Sequence, residues 1–226
     1  GMYDALNKGF AKSSGQILGW INSDDVFYGG ALHKIADVFN KLDKVLWVTG
    51  KCGYIDRYGT NTRTAKTKIY NQELLTKGFY KAPYSYLVNQ NAVFWRRELW
   101  EKVDGCDTNM KLAGDFALWT KFAKYTELYF IDYVFSAFRR HGKNLSNRIG
   151  VYADEAKPFI NIKNTEIIKL VFGKQYYGYE ILQSKTGEYS IRSVMLNPRY
   201  IRPLFMIKNV IASFIKTILF QLTKGD

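Results

Sequence analysis

The sequence predicts an α/β fold in which a mixed, Rossmann-like sheet is flanked by helices. Residues 3–15 carry apolar side chains at helical spacing and end at a glycine, which is typical of a helix C-terminus. Residues 17–21 form a short apolar run, and the polar tetrapeptide Asn22-Ser23-Asp24-Asp25 follows at once. A helix leading into a buried strand with acids at its end is expected at the ligand-binding edge of an open α/β sheet.

The adjacent acids Asp24 and Asp25 have two interpretations. Neighbouring carboxylates beside a buried strand repel each other and lose hydration, and a divalent cation with oxygen ligands would relieve both effects. Asn, Ser and Asp are also ordinary residues of turns and helix N-caps, so Asp25 capping a helix that begins near Gly30 is the alternative. The tetrapeptide alone leaves both open.

The following elements continue the α/β pattern. Residues 30–41 have an apolar face that predicts a short amphipathic helix. Further elements are expected from periodicity and turn residues: strands at 45–50 and 52–56, a short helix at 72–77, a strand from Asn89, a helix over 119–125 and a strand pair over 128–138.

The C-terminal part predicts a separate helical extension. We expect a domain over 1–150 and an extension over 151–226 that contains a helix at 151–172, a connector at 173–187 and an amphipathic terminal helix at 203–223. Lys208 and Lys216 disfavour a membrane span, so the terminal helix is expected to lie on a membrane surface through residues 199–224. Packing onto the protein's own core or onto a partner chain is the alternative.

Composition restricts the partners. The 226 residues carry a net charge of +13, which implies an anionic partner such as a nucleotide diphosphate or an acidic lipid surface. The basic residues are spread along the chain without a nucleic-acid-binding motif, so no nucleic acid is expected. Two cysteines without zinc spacing, and no signal segment, predict a cytoplasmic protein. The terminal helix predicts that it lies peripherally at the inner face of the membrane.

Four segments in order resemble one enzyme family. Residues 3–25 resemble the diphosphate-side half of family-two glycosyltransferases of the A fold, and residues 89–107 resemble their acceptor-side strand and turn. Leu112–Trp119 is similar to the family's "ED" segment, an acid at a helix start followed by Leu and Trp. Phe138–Ser146 is similar to its late Arg-x-His loop. The resemblance therefore implies a partial glycosyltransferase A fold over residues 1–150.

The resemblance also implies a reaction. Such enzymes transfer a sugar from a nucleoside diphosphate donor to an acceptor hydroxyl with inversion, using Mn²⁺ or Mg²⁺. The expected role is in cell-surface polysaccharide or glycan biosynthesis, with a glycan or a lipid-linked acceptor.

The resemblance assigns roles to individual residues. Asp24, Asp25 and His141 are implied to bind the metal, and Asp115 to act as the catalytic base, with an N-cap of its helix as the alternative role. Two positions depart from the family pattern, because Asn22 and Gly114 stand where acids are common. The implied substrate-binding residues are Asn7, Lys8, Trp20, Asn22, Gln90, Trp119 and Arg139.

The family's nucleoside-binding units have no counterpart before residue 3. At about 30 residues per strand-helix-strand unit, we expect that some 60 to 90 residues of the family's fold have no equivalent ahead of the first helix. A sheet lacking them would expose a strand edge, which predicts a homodimer through that edge. The alternative function is a catalytically inactive truncated homologue that acts as a membrane-associated or assembly protein.

Overall fold

The computed structural model describes residues 1–80, 87–162 and 175–196. Six α-helices occur in these ranges: α1 (Met2–Lys12), α2 (Ala31–Lys41), α3 (Gln72–Thr76), α4 (Arg97–Lys102), α5 (Gly114–Phe122) and α6 (Ile149–Ala156). The strands are β1 (Ile17–Leu18), β2 (Val26–Phe27), β3 (Trp47–Ile55), β4 (Asn61–Thr64), β5 (Val93–Arg96), β6 (Tyr129–Arg139), β7 (Tyr177–Gln183) and β8 (Tyr189–Met195). The helices that are predicted over residues 3–15, 30–41 and 72–77 are confirmed.

The strands form one mixed sheet. Its order is β1-β5-β3-β6-β7-β8, with β2 paired to β6 and β4 paired to β3. The central neighbours β3 and β6 are parallel, as are β6 and β7, and the remaining pairs are antiparallel. This mixed sheet with flanking helices confirms the predicted fold class.

Two apolar cores cover the sheet. The larger contains side chains of α1, α3, α4 and α5 and a group of packed tryptophans, of which Trp47 and Trp95 are fully buried. The smaller lies between α2 and the strands, where Val38 packs with Val48 and Phe135. The large aromatic area buried in these cores contributes strongly to the hydrophobic stabilisation of the fold.

One strand, β3, replaces the two that are predicted at 45–50 and 52–56, and a glycine lies in its middle. At Gly50, in the middle of β3, a Cβ would overlap the ring of Phe135 and lie 2.7 Å from the carbonyl oxygen of Tyr133. Both residues belong to β6, which runs parallel to β3. The missing side chain therefore permits close approach of β6 at this point.

The prediction of a connector over 173–187 is wrong. Residues 177–183 and 189–195 form the antiparallel hairpin β7–β8, and β7 pairs in parallel with β6. The predicted helical extension is thus helical in α6 and becomes part of the sheet after residue 176. The Tyr and Gly residues that suggested a connector alternate between the two faces of β7, and Gly178 avoids the carbonyl of Tyr70. The predicted helix at 203–223, and the membrane surface at 199–224, lie outside the described residues.

Two other expectations concern a membrane and a second copy of the chain. Within the three described ranges, no helix combines the length and the apolar character that crossing a membrane requires. Among the described strands, β1 forms one edge of the sheet. Dimerisation through that edge stays a prediction.

We expect Gly50→Ala to lower the free energy of unfolding by about 1–3 kcal/mol, because the added methyl group has no space beside Phe135. Urea denaturation would measure the change. Gly9→Ala is the matched control, since a Cβ at this exposed position in α1 meets nothing within 4 Å and is expected to stabilise by up to about 1 kcal/mol. Equal effects of the two substitutions would contradict the close contact between β3 and β6.

Candidate active site

One cleft brings together residues that lie far apart in the sequence. It has a volume of about 980 Å³ and is lined by Asp24 after β1, Asp115 in the first turn of α5 and His141 after β6. Trp20, Asn22 and Gln90 also line it. Gln90 opens the 3-10 helix Gln90–Ala92, and its side-chain amide nitrogen donates to the carbonyl of Trp20 at 2.6 Å.

Asp24 and His141 form a direct pair in this cleft. The imidazole Nε2 of His141 lies 2.8 Å from a carboxylate oxygen of Asp24, and both side chains are partly exposed. Asn144 orients the histidine, because its side-chain oxygen accepts the His141 backbone N–H at 3.2 Å and its nitrogen lies 3.1 Å from Nε2. A carboxylate and an imidazole therefore converge at one point of the cleft.

Asp25 has a different environment from its neighbour. Only 8% of it is exposed, and it does not line the cleft. One carboxylate oxygen accepts the backbone N–H of Arg139 at 2.7 Å, and the other accepts the side-chain amide of Asn22 at 3.1 Å. Burial raises the pKa of Asp25, although these hydrogen bonds oppose the shift. Asp25 thus joins the loop after β1 to the end of β6. It does not cap α2, because the residue that precedes α2 is Gly30.

Arg139 is engaged by the same loop. Its guanidinium donates to the carbonyl of Asp24 at 2.7 Å and to the carbonyls of Asp56 and Arg57 at 3.3 Å. The next residue, Arg140, lines the cleft instead and lies over the ring of Tyr54, with 4.7 Å between guanidinium carbon and ring centroid. Sequence reasoning missed Arg140, although the alternation of side chains at the end of a strand separates two successive arginines.

The donor set suits a divalent cation in part. The oxygen of Asp24 and the nitrogen of His141 are ligands that Mn²⁺ accepts, and Mg²⁺ is commonly held by one or two carboxylates together with substrate phosphates. In residues 1–80, 87–162 and 175–196, no group of three His, Cys, Asp or Glu side chains could hold a metal ion. A metal in this cleft would therefore need ligands from a bound diphosphate or from water.

Asp115 sits on a backbone segment whose N–H groups are all bound by side chains. The carboxylate of Glu155, from α6, accepts the backbone N–H groups of Lys111, Leu112 and Ala113 at 2.8–3.1 Å. The hydroxyl of Tyr3, from α1, accepts those of Gly114 and Asp115 at 2.9 and 3.3 Å. These contacts satisfy the donors that a helix start leaves unpaired and hold α1, α5 and α6 together.

Tyr3 also explains one departure from the family pattern. A Cβ at residue 114 would lie 2.5 Å from the Tyr3 ring, so a side chain cannot occupy that position beside Tyr3. The Tyr3 hydroxyl donates in turn to the carbonyl of Leu112 at 2.9 Å. Tyr3 therefore requires a glycine at position 114. Sequence reasoning did not predict this role of Tyr3.

The pKa of the Asp115 carboxyl group is raised towards neutral pH. Burial raises its pKa to about 7, although one oxygen accepts the backbone N–H of Phe116 at 2.7 Å, which opposes the shift. Ala113 is the residue that precedes α5, so Asp115 lies inside the first turn and does not cap the helix. A carboxyl group that titrates near pH 7 and faces a cleft is suited to proton transfer.

Four of the predicted substrate-binding residues do not line the cleft: Arg139, described above, and Asn7, Lys8 and Trp119. Asn7 braces the backbone of Cys106 with hydrogen bonds of 2.9 and 3.0 Å. Lys8 pairs with Asp4 at 2.8 Å on the outer surface of α1. Trp119 is 3% exposed and stacks beneath Trp20, with ring centroids 5.8 Å apart.

Comparison with known proteins relates part of the chain to glycosyltransferases. Residues 1–101 match the family model of glycosyl transferase family 2. This part of the chain is similar to that family. Two relatives, both named as uncharacterized glycosyltransferases, come from Rickettsia prowazekii (strain Madrid E) and Rickettsia typhi (strain ATCC VR-144 / Wilmington). Each is 27% identical over 150 residues, which are 65% of this chain and 46% of the relative. The chain thus matches less than half the length of these relatives.

We expect Asp115→Asn to raise the free energy of unfolding by about 1–3 kcal/mol at pH 8 and to change it little at pH 4. The folded-state pKa near 7 lies above the unfolded value of about 3.9, so ionisation of the unfolded chain lowers stability as pH rises from about 4 to 7. Urea denaturation at both pH values would measure this. The exposed Asp43→Asn is the control, and an Asp115→Asn effect that is equal at both pH values would contradict the raised pKa.

Glu155→Gln is expected to lower the free energy of unfolding by about 1–2 kcal/mol at pH 7, because the neutral amide is a weaker acceptor for the three backbone N–H groups. Partial burial raises the pKa of Glu155, but hydrogen bonds from Ala113, Leu112 and Lys111 outweigh it and hold the pKa below its ordinary value.

The carboxylate of Glu155 therefore stabilises the fold above its unfolded pKa of about 4.3, and this contribution is lost as pH falls through the folded value. The difference between wild type and Glu155→Gln should shrink in acid denaturation curves. Asp154→Asn, at the neighbouring exposed position, serves as the control. If Asp154→Asn lowered stability as much as Glu155→Gln does, the specific role of Glu155 would be contradicted.

Proposed function

We propose that this chain supplies the diphosphate-binding side and the catalytic base of an inverting, metal-dependent glycosyltransferase. The substrates would be a nucleoside diphosphate sugar and an acceptor hydroxyl. The observation that supports this most is that Asp24, His141 and Asp115 line one cleft, with the pKa of Asp115 near 7. An acid–base residue and a pair of metal-ligating side chains are the groups that such a transfer needs.

Asp24 and His141 would hold Mn²⁺ or Mg²⁺ together with oxygens of the donor diphosphate. When bound, the metal offsets the negative charge that develops on the leaving diphosphate. Arg140 and Lys143 line the same cleft and add positive charge of their own. Their cations would attract the donor and stabilise the diphosphate as the sugar leaves.

Asp115 would accept the proton of the acceptor hydroxyl while that oxygen attacks the anomeric carbon. Direct attack from the side opposite the diphosphate inverts the anomeric configuration. With a pKa near 7, the carboxyl group is ionised in about half of the molecules at neutral pH and is a stronger base than an ordinary aspartate. The side chains of Tyr3 and Glu155 hold the backbone that carries it.

Apolar residues along the cleft support a lipid-linked acceptor more than a free glycan. Leu6, Leu145 and Ile149 line the cleft, and about half of the surface of Leu145 and of Ile149 is exposed. Such exposed apolar side chains beside charged groups would suit a substrate that combines an apolar part with a polar one. The wider role would be glycan or polysaccharide biosynthesis.

Calorimetric titration with UDP-glucose and related nucleotide sugars, with and without Mn²⁺, tests this function. We expect Asp24→Asn to weaken Mn²⁺-dependent binding by about tenfold or more, because a metal ligand is lost. Asp115→Asn should keep binding within about twofold and lower transfer by about 10²–10⁴-fold, because only the base is removed. Asp43→Asn is the surface control.

The alternative is a non-catalytic membrane-associated or assembly protein, which would bind no nucleotide at millimolar concentration and would tolerate both substitutions. Failure of every nucleotide and nucleotide sugar to bind with Mn²⁺ would therefore refute the transferase function.

A further inference from the structure

Two arginine side chains lie against one tyrosine ring at the wall of the cleft. Tyr54, near the end of β3, lines the cleft and pairs with Arg63 of the neighbouring strand β4. The guanidinium carbon of Arg63 lies 4.2 Å from the centroid of the Tyr54 ring, and that of Arg140 lies 4.7 Å from it. Arg140 follows β6, which pairs with the opposite edge of β3. Two strands therefore bring one cation each to the same ring.

The protein itself makes no use of the hydrogen-bond donors of these two guanidiniums. Arg63 and Arg140 are exposed, and in the described ranges neither side chain forms a hydrogen bond or an ion pair with a protein group. Other arginines near the sheet differ, because Arg139 donates to backbone carbonyls and Arg192 binds a carboxylate. Since cation–π contacts with Tyr54 orient both guanidiniums, their N–H groups are held in place and stay available to a ligand.

A third cation lies close to Arg63. Lys68 follows β4, is partly buried, and its ammonium group donates to the carbonyl of Leu87 at 3.4 Å. Burial lowers the pKa of Lys68, the thiol of Cys52 opposes this shift, and the positive charge of Arg63 adds to it. Among the described residues, no carboxylate pairs with Lys68. Positive charge is thus concentrated on this side of the cleft, where like charges repel one another until an anion binds.

We propose that Arg63 and Arg140 form a phosphate-binding subsite of the cleft, in which Tyr54 holds both guanidiniums and Lys68 adds charge. A guanidinium presents paired N–H donors that match two oxygens of one phosphate, and such charge-assisted hydrogen bonds are strong. Several cations without a neighbouring acid suit a group that carries more than one negative charge, as a phosphate does and a carboxylate does not.

The subsite is separate from the proposed metal pair. Asp24 and His141 follow β1 and β6, whereas Arg63 and Lys68 belong to β4 and the segment after it, on the far side of β3. Arg140 lies between the two groups, because it lines the cleft next to His141 and also contacts the ring of Tyr54. The subsite therefore extends the positive charge of the cleft away from the metal pair.

Two ligands could bring the phosphate. One is the diphosphate of a nucleotide sugar, and the other is a phosphorylated acceptor that binds while the donor occupies the metal pair. The identity of either ligand rests on the proposed transferase function. Binding of phosphate does not depend on it, so the subsite and the transferase function can fail separately.

Calorimetry with the full chain tests the subsite, at low salt and without metal, with inorganic pyrophosphate as the probe. We expect the wild type to bind pyrophosphate, and Arg63→Gln and Arg140→Gln each to weaken binding by about tenfold or more, because each removes a charge-assisted donor. Arg63→Lys should recover only part of the affinity, since an ammonium group lacks the planar pair of donors. Melting temperatures should stay unchanged, because both arginines are exposed.

Arg57→Gln is the matched control. Arg57 is an exposed arginine in the turn between β3 and β4, and its guanidinium carbon lies 5.8 Å from the ring centroid of Tyr58. The substitution removes the same charge from the same hairpin and should keep the pyrophosphate affinity within about twofold. Equal weakening by Arg57→Gln and Arg63→Gln would overturn the subsite, as would failure of the wild type to bind pyrophosphate.

A second titration identifies the source of the phosphate. Glycerol 3-phosphate, a simple phosphate monoester, is titrated into protein that is saturated with UDP and Mn²⁺. Binding that persists and is weakened by Arg63→Gln assigns the subsite to a phosphorylated acceptor. Binding that UDP abolishes, together with a lower UDP affinity of Arg63→Gln, assigns it to the donor diphosphate.

The remaining outcomes separate this inference from the transferase function. If the wild type binds pyrophosphate through Arg63 but binds no nucleotide or nucleotide sugar, the subsite stands and the transferase function fails. If nucleotides bind and Arg63→Gln changes neither the pyrophosphate nor the nucleotide affinity, the inference fails and the transferase function stands.

Discussion

The candidate site depends on one requirement, that the five consecutive backbone N–H groups of residues 111–115 find acceptors. Two side chains from different helices meet it, Glu155 from α6 and Tyr3 from α1. Because backbone N–H groups near a helix start need acceptors outside the helix, these contacts fix the start of α5 against both helices. Asp115 is held in the first turn by this arrangement, where burial rather than a neighbouring acid raises its pKa.

A similar division of roles occurs on the other wall of the cleft. Within two pairs of neighbouring residues, one member supports the fold and the other faces the cleft. Asp25 binds the backbone of Arg139, whose guanidinium in turn binds backbone carbonyls of two loops. Asp24 and Arg140 are thereby left to line the cleft, with His141 beside them. Charges that hold the loops in place and charges that are available to a ligand thus alternate along the chain.

Local patterns predicted much of the fold and part of the site. Helices α1, α2 and α3 follow from apolar periodicity and end signals within each segment, and Asp24, Asp115 and His141 follow from short motifs in a fixed order. The hairpin β7–β8 was missed, because its place in the sheet depends on pairing with the distant strand β6. The roles of Tyr3 and Glu155 were not predicted for the same reason, because each side chain binds a backbone segment far from it in sequence.

By itself, the sequence determined the α/β class, the family resemblance and the segments that carry acids and histidine, because these depend on neighbours along the chain. Only the tertiary structure decided which member of each adjacent pair faces the cleft. It also decided that Asn7, Lys8 and Trp119 serve packing or the surface. The physical reason is that side-chain direction, burial and hydrogen-bond pairing arise from contacts between distant segments, which no local pattern encodes.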